Sequence, residues 1–190
     1  MKDIVIIGGP NGAGKTTAAR AVVPKELGIR AFVNADEIAR ELSPRNPEHA
    51  EIAAGRLMIE RIRELVQSGE SFAFETTCSG RTHATWLREC KQAGWRVILL
   101  YLWLSSPQAA LDRVARRVSE GGHGIADDVV KRRYRAGVVN MIRVYLPLAD
   151  VAAIYDNGDE GRVLIAERKS GSDLVVHDAR RWTMIGRASQ

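Results

Sequence analysis

Apolar residues along this chain come in short unbroken runs, and most runs are followed by a stretch with helical spacing. Ile4-Val5-Ile6-Ile7 is the first run. Consecutive apolar positions suit a strand buried on both faces of a parallel sheet. A glycine-rich turn follows, then a helix from Lys15 to about Val22 that Pro24 is expected to end. Ala31-Phe32-Val33 reads as a second strand, leading through Asn34-Ala35-Asp36 into a helix to about Leu42. Beyond the loop Ser43 to Pro47, apolar residues from Ile52 to Val66 recur at helical spacing and predict a helix from about Glu48 to Gln67. Ser71 to Phe74 is the third strand and delivers Glu75 at its end. A helix over about Thr82 to Gln92, a fourth strand over Arg96 to Leu104 and a helix started by Ser106-Pro107 follow. The segment Gly121-Gly122-His123-Gly124 breaks that helix, and another runs from about Asp127 to Leu146. Val151 to Tyr155 is the fifth strand, ending in Asp156-Asn157-Gly158. Val163 to Glu167 and Leu174 to His177 predict an antiparallel hairpin at the sheet edge, and the basic end from Arg180 to Arg187 reads as a fraying tail.

This alternation predicts an α/β fold, with a five-stranded, mostly parallel sheet flanked by helices and a C-terminal hairpin. With 190 residues, 45% of them hydrophobic, one domain is expected. Residues 1–157 would form its core and 158–190 an extension. No apolar run is long enough for a membrane span or signal peptide, and Cys78 and Cys90 fit no metal spacing. A cytoplasmic protein with reduced thiols is the expectation. The net charge of +5 suits a protein that handles anions, whether nucleotide, phosphorylated metabolite or nucleic acid, or it is simply a solvated surface.

The chemistry begins at Gly9-Pro10-Asn11-Gly12-Ala13-Gly14-Lys15-Thr16, which fits G-x-x-x-x-G-K-[ST] at every position, with Thr17 following. A strand precedes it and a helix follows, as this phosphate loop requires. Glycines let successive backbone N–H groups point at phosphate oxygens, and the helix N-terminus adds partial positive charge. Lys15 is placed to reach the β- and γ-phosphates of ATP, and the Thr16 hydroxyl to ligate Mg²⁺. The loop specifies a nucleotide and leaves the reaction open. The fourth strand ends without an acid, so Glu75 is the candidate to act beside the metal. Asp36 sits where ligands bind at the carboxyl edge of open α/β sheets. It serves either as the general base for an acceptor hydroxyl or as the cap of its helix, with Asn34 competing for the cap. Arg113 and Arg117 share one helix face, and Arg132, Arg133 and Arg135 follow the glycine break. Together with His123 they read as a lid over the phosphates, in which two or three arginines face phosphate. Surface arginines lying over apolar neighbours are the plainer alternative, above all for Arg116 and Arg135.

In order and spacing these motifs resemble the zeta toxin family of P-loop kinases, in particular its small members. The matching stretches are Gly9 to Thr17, Phe32 to Ala39, Phe74-Glu75-Thr76-Thr77, Arg113-Val114 and Arg117-Val118 leading into Gly121-Gly122-His123, Arg132-Arg133-Tyr134, and Tyr155-Asp156-Asn157. The resemblance implies a kinase with ATP as donor and UDP-N-acetylglucosamine as the acceptor of the toxin members. It implies Asp36 as catalytic base, Glu75 in the acceptor cleft, Arg133 on the γ-phosphate, and Arg117 or Arg143 as a second phosphate-binding arginine. Thr76 and Thr77 beside Glu75 are further candidates to bind the acceptor, and His123 is a candidate for acceptor binding, acid–base chemistry or a lid hinge contact. It also implies an antitoxin as a possible partner. Ile125-Ala126 stands where the small members carry Ile-Pro, and residues beyond 157 fall outside the resemblance. Two other readings predict different behaviour. A polynucleotide or nucleoside kinase would bind oligonucleotides with a steep salt dependence. A non-catalytic ATP switch would bind nucleotide without transfer. A small amino sugar or sugar nucleotide is the expected acceptor, ahead of nucleic acid, and no membrane partner is expected.

Overall fold

A computed structural model of the chain describes residues 1–122, 124–158 and 161–189. Five strands, β1 (Asp3–Gly8), β2 (Ala31–Val33), β3 (Phe72–Thr76), β4 (Arg96–Trp103) and β5 (Val151–Asp156), pair in parallel in the order β2-β3-β1-β4-β5. β6 (Val163–Arg168) and β7 (Val175–Val176) extend the same sheet in antiparallel fashion beyond β5, so it has seven strands. The expected hairpin is therefore part of the sheet. Its first strand satisfies the backbone groups that the edge of β5 would otherwise leave open.

The central strands are buried on both faces, which explains their unbroken apolar sequences. Ile4, Ile6, Ile7, Leu99, Tyr101 and Leu102 are fully enclosed. Around them lie helices α1 (Lys15–Glu26), α2 (Ala35–Leu42), α3 (Glu51–Ser68), α4 (Thr82–Gln92), α5 (Pro107–Ser119), α6 (Asp127–Asn140), the one-turn α7 (Leu146–Leu148) and α8 (Ala179–Ala188). A 3₁₀ turn over Pro47–Ala50 precedes α3. The register places the carboxyl ends of β1 and β3 side by side, with Ile7 opposite Glu75 and Gly8 opposite Thr76. No helix among the described residues is long and apolar enough to cross a membrane.

Three elements depart from the sequence reading, each for a local reason. α1 runs through Pro24 to Glu26. Pro24 is exposed, so the Arg20 carbonyl that loses its helical donor lies on the solvent side. The helix expected to reach Leu146 changes at Asn140 into a π turn, Met141–Tyr145. In an α-helix, residues five apart diverge by about 140°. The wider turn lets Asn140 and Tyr145 both reach the loop after β3: Asn140 Nδ2 donates to the carbonyls of Cys78 and Ser79, and Tyr145 Oη to that of Gly80. Finally, the basic end is a helix and not a fraying tail. Asp178 caps α8 by accepting from the Arg181 N–H, and Ile185 is fully buried beneath it.

Candidate active site

The phosphate loop closes the carboxyl end of β1. Gly9 has φ +146°, and a Cβ there would lie 2.3 Å from the Leu102 carbonyl oxygen. At Gly12, φ is +79° and a Cβ would meet Arg113 Cβ at 2.6 Å. Side chains are excluded at both positions, by neighbours as well as by backbone conformation. Gly14 caps α1 in the left-handed region and Lys15 is the first helical residue. Lys15 is 7% exposed, so its ammonium is held rather than free in solvent. Nζ donates to the Pro10 carbonyl at 2.9 Å and lies 3.5 Å from Glu75 Oε1.

Glu75 joins the loop to β2. Its Oε2 accepts from Thr16 Oγ1 at 2.7 Å and from Asn34 Nδ2 at 2.8 Å. Asn34 is buried and works in two directions. Its Oδ1 accepts from the Asp36 and Glu37 N–H groups and caps α2, while its amide reaches Glu75 and, at 3.4 Å, Thr16. The capping role therefore belongs to Asn34. The Asp36 side chain, in the first turn of α2, is exposed and makes no hydrogen bond or ion pair among the described residues. Thr17 is exposed beside the loop. Thr76 Oγ1 accepts from the Cys78 N–H, and Thr77 Oγ1 lies 2.8 Å from Ser79 Oγ, so both hydroxyls shape the turn after β3.

Cys78 lies directly behind the site. A Cβ on Gly8 would come within 2.9 Å of its sulfur. Burial pushes its thiol up to about 12, outweighing the pull of the Lys15 charge and of the Gly9 N–H. It is a packing residue and not a nucleophile. Cys90 is likewise buried and free.

The lid arginines separate. Arg113 Nη2 donates to the Asn157 carbonyl at 3.1 Å, beside the phosphate loop. The Arg117 side chain is half-buried and its carbonyl accepts from Gly122 N–H. Arg116 and Arg135 are exposed, and Arg116 pairs with Glu120. Arg143 donates to the Ser189 carbonyl at 3.1 Å, at the end of α8. Arg133 lies 3.9 Å from Glu51 and, with Arg45, Glu48, Ile125 and Arg132, lines a cleft of about 690 Å³ between the start of α3 and the start of α6. No phosphate-loop residue lines that cleft. His123 lies outside the described residues. Among those residues no group of three or more His, Cys, Asp or Glu side chains is arranged to hold a metal. What the site offers a cation is the Thr16 hydroxyl beside the Glu75 carboxylate, two hard oxygen donors of the kind Mg²⁺ takes together with phosphate oxygens.

Two residues within the stretches that carry the resemblance make contacts that the sequence reading does not assign to them. Val33-Asn34-Ala35-Asp36 reads as a cap, which is half of what Asn34 does. Asp156-Asn157-Gly158 reads as a turn, yet Asn157 Nδ2 donates to the Ala13 carbonyl of the phosphate loop at 2.8 Å, across 144 residues.

The chain is similar to known proteins in sequence and in fold. An uncharacterized protein of Haemophilus influenzae is 33% identical over 126 residues, covering 66% of this chain and 88% of the relative. The structure of AvrRxo1-ORF1 with AvrRxo1-ORF2 superposes over the whole chain with a TM-score of 0.79 at 18% identity in a form with sulphate ions. In a form with ATP the TM-score is 0.73 at 19% identity. The chain spans 64% of the length of that protein in both forms. A component of the PezAT chromosomal toxin–antitoxin system of Streptococcus pneumoniae matches 98% of this chain and 85% of its own, with a TM-score of 0.59 at 15% identity. These structural likenesses establish the P-loop kinase fold. The model of a family described as AAA domain matches residues 4–140, and the chain belongs to that family.

Proposed function

We propose that this protein is an ATP-dependent kinase that transfers the γ-phosphoryl group to a hydroxyl of a small molecule. The observation that carries the reading is the division of labour between two carboxylates. Glu75 is engaged at both oxygens, by Thr16 and Asn34 at one and by Lys15 near the other, and so acts as an orienting group. Asp36 is solvent-accessible, relieved of capping by Asn34, and stands at the start of α2 two residues from that network. It is the carboxylate able to take a proton from an incoming acceptor.

In this reading the N–H groups of Gly12 to Thr16 hold the β- and γ-phosphates, with the Lys15 ammonium over them. Thr16 and Glu75 would hold Mg²⁺, which would neutralise charge on the phosphates. Asp36 accepts the proton of the acceptor hydroxyl. The acceptor oxygen forms a bond to the γ-phosphorus, and the bond between that phosphorus and the β,γ-bridging oxygen breaks to leave ADP. Arg113, held against the Asn157 carbonyl, places positive charge beside the loop. The cleft bearing Arg45, Arg132 and Arg133 with Glu48 and Glu51 is the acceptor's approach, and its mixed charge suits a polar, anionic molecule. UDP-N-acetylglucosamine or a related amino sugar is the first candidate. The PezAT system pairs a toxin with an antitoxin, and a protein inhibitor is a corresponding expectation here.

The test is incubation with ATP, Mg²⁺ and a panel of UDP-N-acetylglucosamine, free amino sugars, sugar acids, nucleosides and a 5′-hydroxyl oligonucleotide, read by mass spectrometry. One small-molecule acceptor gaining a single phosphate, with the gain lost in Lys15→Ala, supports the proposal. Phosphorylation of the oligonucleotide alone, or ATP binding without any transfer, contradicts it.

A further inference from the structure

The C-terminal helix lies beyond residues 4–140 that the family model matches, yet it is tied to the phosphate loop. The tie begins at Asp178, which caps α8 with Oδ1 and takes the Arg181 Nη1 at Oδ2, 2.7 Å away. Arg181 Nε reaches across to Asp156 Oδ2 at 2.8 Å. Asp156 ends β5, is 8% exposed, and uses its other oxygen to accept from the Gly158 N–H at 3.0 Å. One carboxylate thus fixes the turn that carries Asn157. The Asn157 N–H is held by the Trp103 carbonyl at 2.9 Å, its carbonyl takes Arg113, and its side-chain amide takes the Ala13 carbonyl. The approach is tight, since a Cβ on Gly14 would be 3.0 Å from Asn157 Nδ2.

The contact at Ala13 has a consequence for phosphate binding. In a planar trans peptide the carbonyl and the following N–H point in opposite directions. Drawing the Ala13 carbonyl toward Asn157 turns the Gly14 N–H away from the β5 turn, to the side on which the phosphates are proposed to sit. We infer that α8 is a positioning element of the nucleotide site, with Arg181 as the positioning residue that acts through Asp156 and Asn157 on the Gly14 N–H. This rests on reading the Gly9–Thr16 loop as the ATP site, and it goes beyond that reading in assigning a catalytic-site role to the C-terminal extension.

The protein contains its own matched control. Arg96 pairs with Asp3 at 2.6 Å, at the opposite end of the sheet. Its side chains are 34% and 13% exposed, against 28% and 12% for Arg181 and Asp156. Arg96→Ala breaks an ion pair of comparable exposure far from the β5 turn and so reports the general loss, to which Arg181→Ala adds the loss of the bond to Asp178. Binding of a fluorescent ATP analogue with Mg²⁺ is measured on the full chain, together with thermal stability, for Arg181→Ala, Arg181→Lys and Arg96→Ala. Arg181→Ala is expected to raise the Kd about tenfold, or roughly 1.4 kcal/mol. Arg96→Ala is expected to leave it within about twofold at a similar loss of Tm. Arg181→Lys, which keeps the charge without the forked geometry, should fall between and secures the test if the alanine variant folds poorly. Because the effect passes through Asn157, Arg181→Ala added to Asn157→Ala should weaken binding no further. Equal Kd values for Arg181→Ala and Arg96→Ala, or additivity with Asn157→Ala, would overturn the inference. A wild-type protein that binds no nucleotide would overturn the ATP reading itself, and this inference with it.

Discussion

Two helical glycines give opposite predictions for the same substitution. In a helix interior alanine is favoured over glycine by about 1 kcal/mol. Gly55 in α3 has open space where a Cβ would go. Gly55→Ala should therefore stabilise the protein by about 0.5–1 kcal/mol, or roughly 1–4 °C in Tm for a chain of this size. Gly137 in α6 is different, because a Cβ there would sit 2.4 Å from the Thr77 carbonyl oxygen, a backbone atom that cannot rotate away. α6 or the loop after β3 has to move. Overpacking of this kind costs about 1–3 kcal/mol. The same movement stretches the two 3.0 Å bonds from Asn140 to Cys78 and Ser79, each worth about 1 kcal/mol. Against these costs stands the helix-propensity gain, so Gly137→Ala should lose about 2–3 kcal/mol net. Urea unfolding followed by far-ultraviolet circular dichroism measures both variants on one scale, with unchanged m-values as the check that only stability has moved. If Gly137→Ala matches the wild type or is more stable than it, close packing of α6 on the loop after β3 is refuted; a destabilised Gly55→Ala would instead contradict the open space at Gly55.

His83 predicts a pH dependence. Burial lowers its pKa from 6.5 to about 4, and Trp86 Nε1, a donor only, points at Nδ1, which must therefore be unprotonated. Between those two pH values the unfolded chain binds a proton that the folded chain does not, so stability falls as pH drops from about 6.5 toward 4. The loss approaches about 3 kcal/mol at the lower end. Denaturation of wild type and His83→Gln at pH 4.5 and 7.5 should show a smaller pH difference in the variant, and equal differences would contradict the assignment. Asn34 predicts a separation of two roles. Asn34→Ala should cost about 1–2 kcal/mol through loss of the α2 cap. Asn34→Asp should retain the cap, yet it sets a second carboxylate where the amide now lies 2.8 Å from Glu75 Oε2. Melting curves with ATP–Mg²⁺ titrations should find Asn34→Asp the more stable of the two and impaired in nucleotide binding.

The parts of the site that were legible in the sequence are local. The phosphate loop announces itself because strand, glycines and helix are contiguous from Ile4 to Thr16 and each residue answers a steric or electrostatic need at its own position. The proximity of Glu75 to Thr16 and Lys15 follows from the rule that strand ends carry ligands in parallel sheets, the same rule on which the proposed role of Asp36 rests. What escaped is what depends on distant segments. Nothing near Asn157 signals that its amide reaches Ala13, and nothing near Arg181 signals Asp156, because those pairings are set by strand order. α8 was illegible for a related reason. Its basic composition is that of a solvated tail, and the helix is held by the Asp178 cap, the Arg181–Asp156 contact and the burial of Ile185. The π turn at Met141–Tyr145 likewise exists to satisfy contacts with the loop after β3, and no helical period in the local sequence encodes it. Arg133, which the resemblance assigns to the γ-phosphate, stands 3.9 Å from Glu51 in the cleft between the starts of α3 and α6.

In the proposed reaction Asp36 takes the acceptor's proton while the phosphate loop holds the nucleotide. The most direct test is to measure, with the acceptor that reacts, both the ATP dissociation constant and the single-turnover transfer rate for wild type, Lys15→Ala and Asp36→Asn. Asp36→Asn should keep the dissociation constant within about twofold and lose transfer by about 10²–10⁴-fold, whereas Lys15→Ala should lose ATP binding. Transfer that survives Asp36→Asn at the wild-type rate would rule out Asp36 as the base.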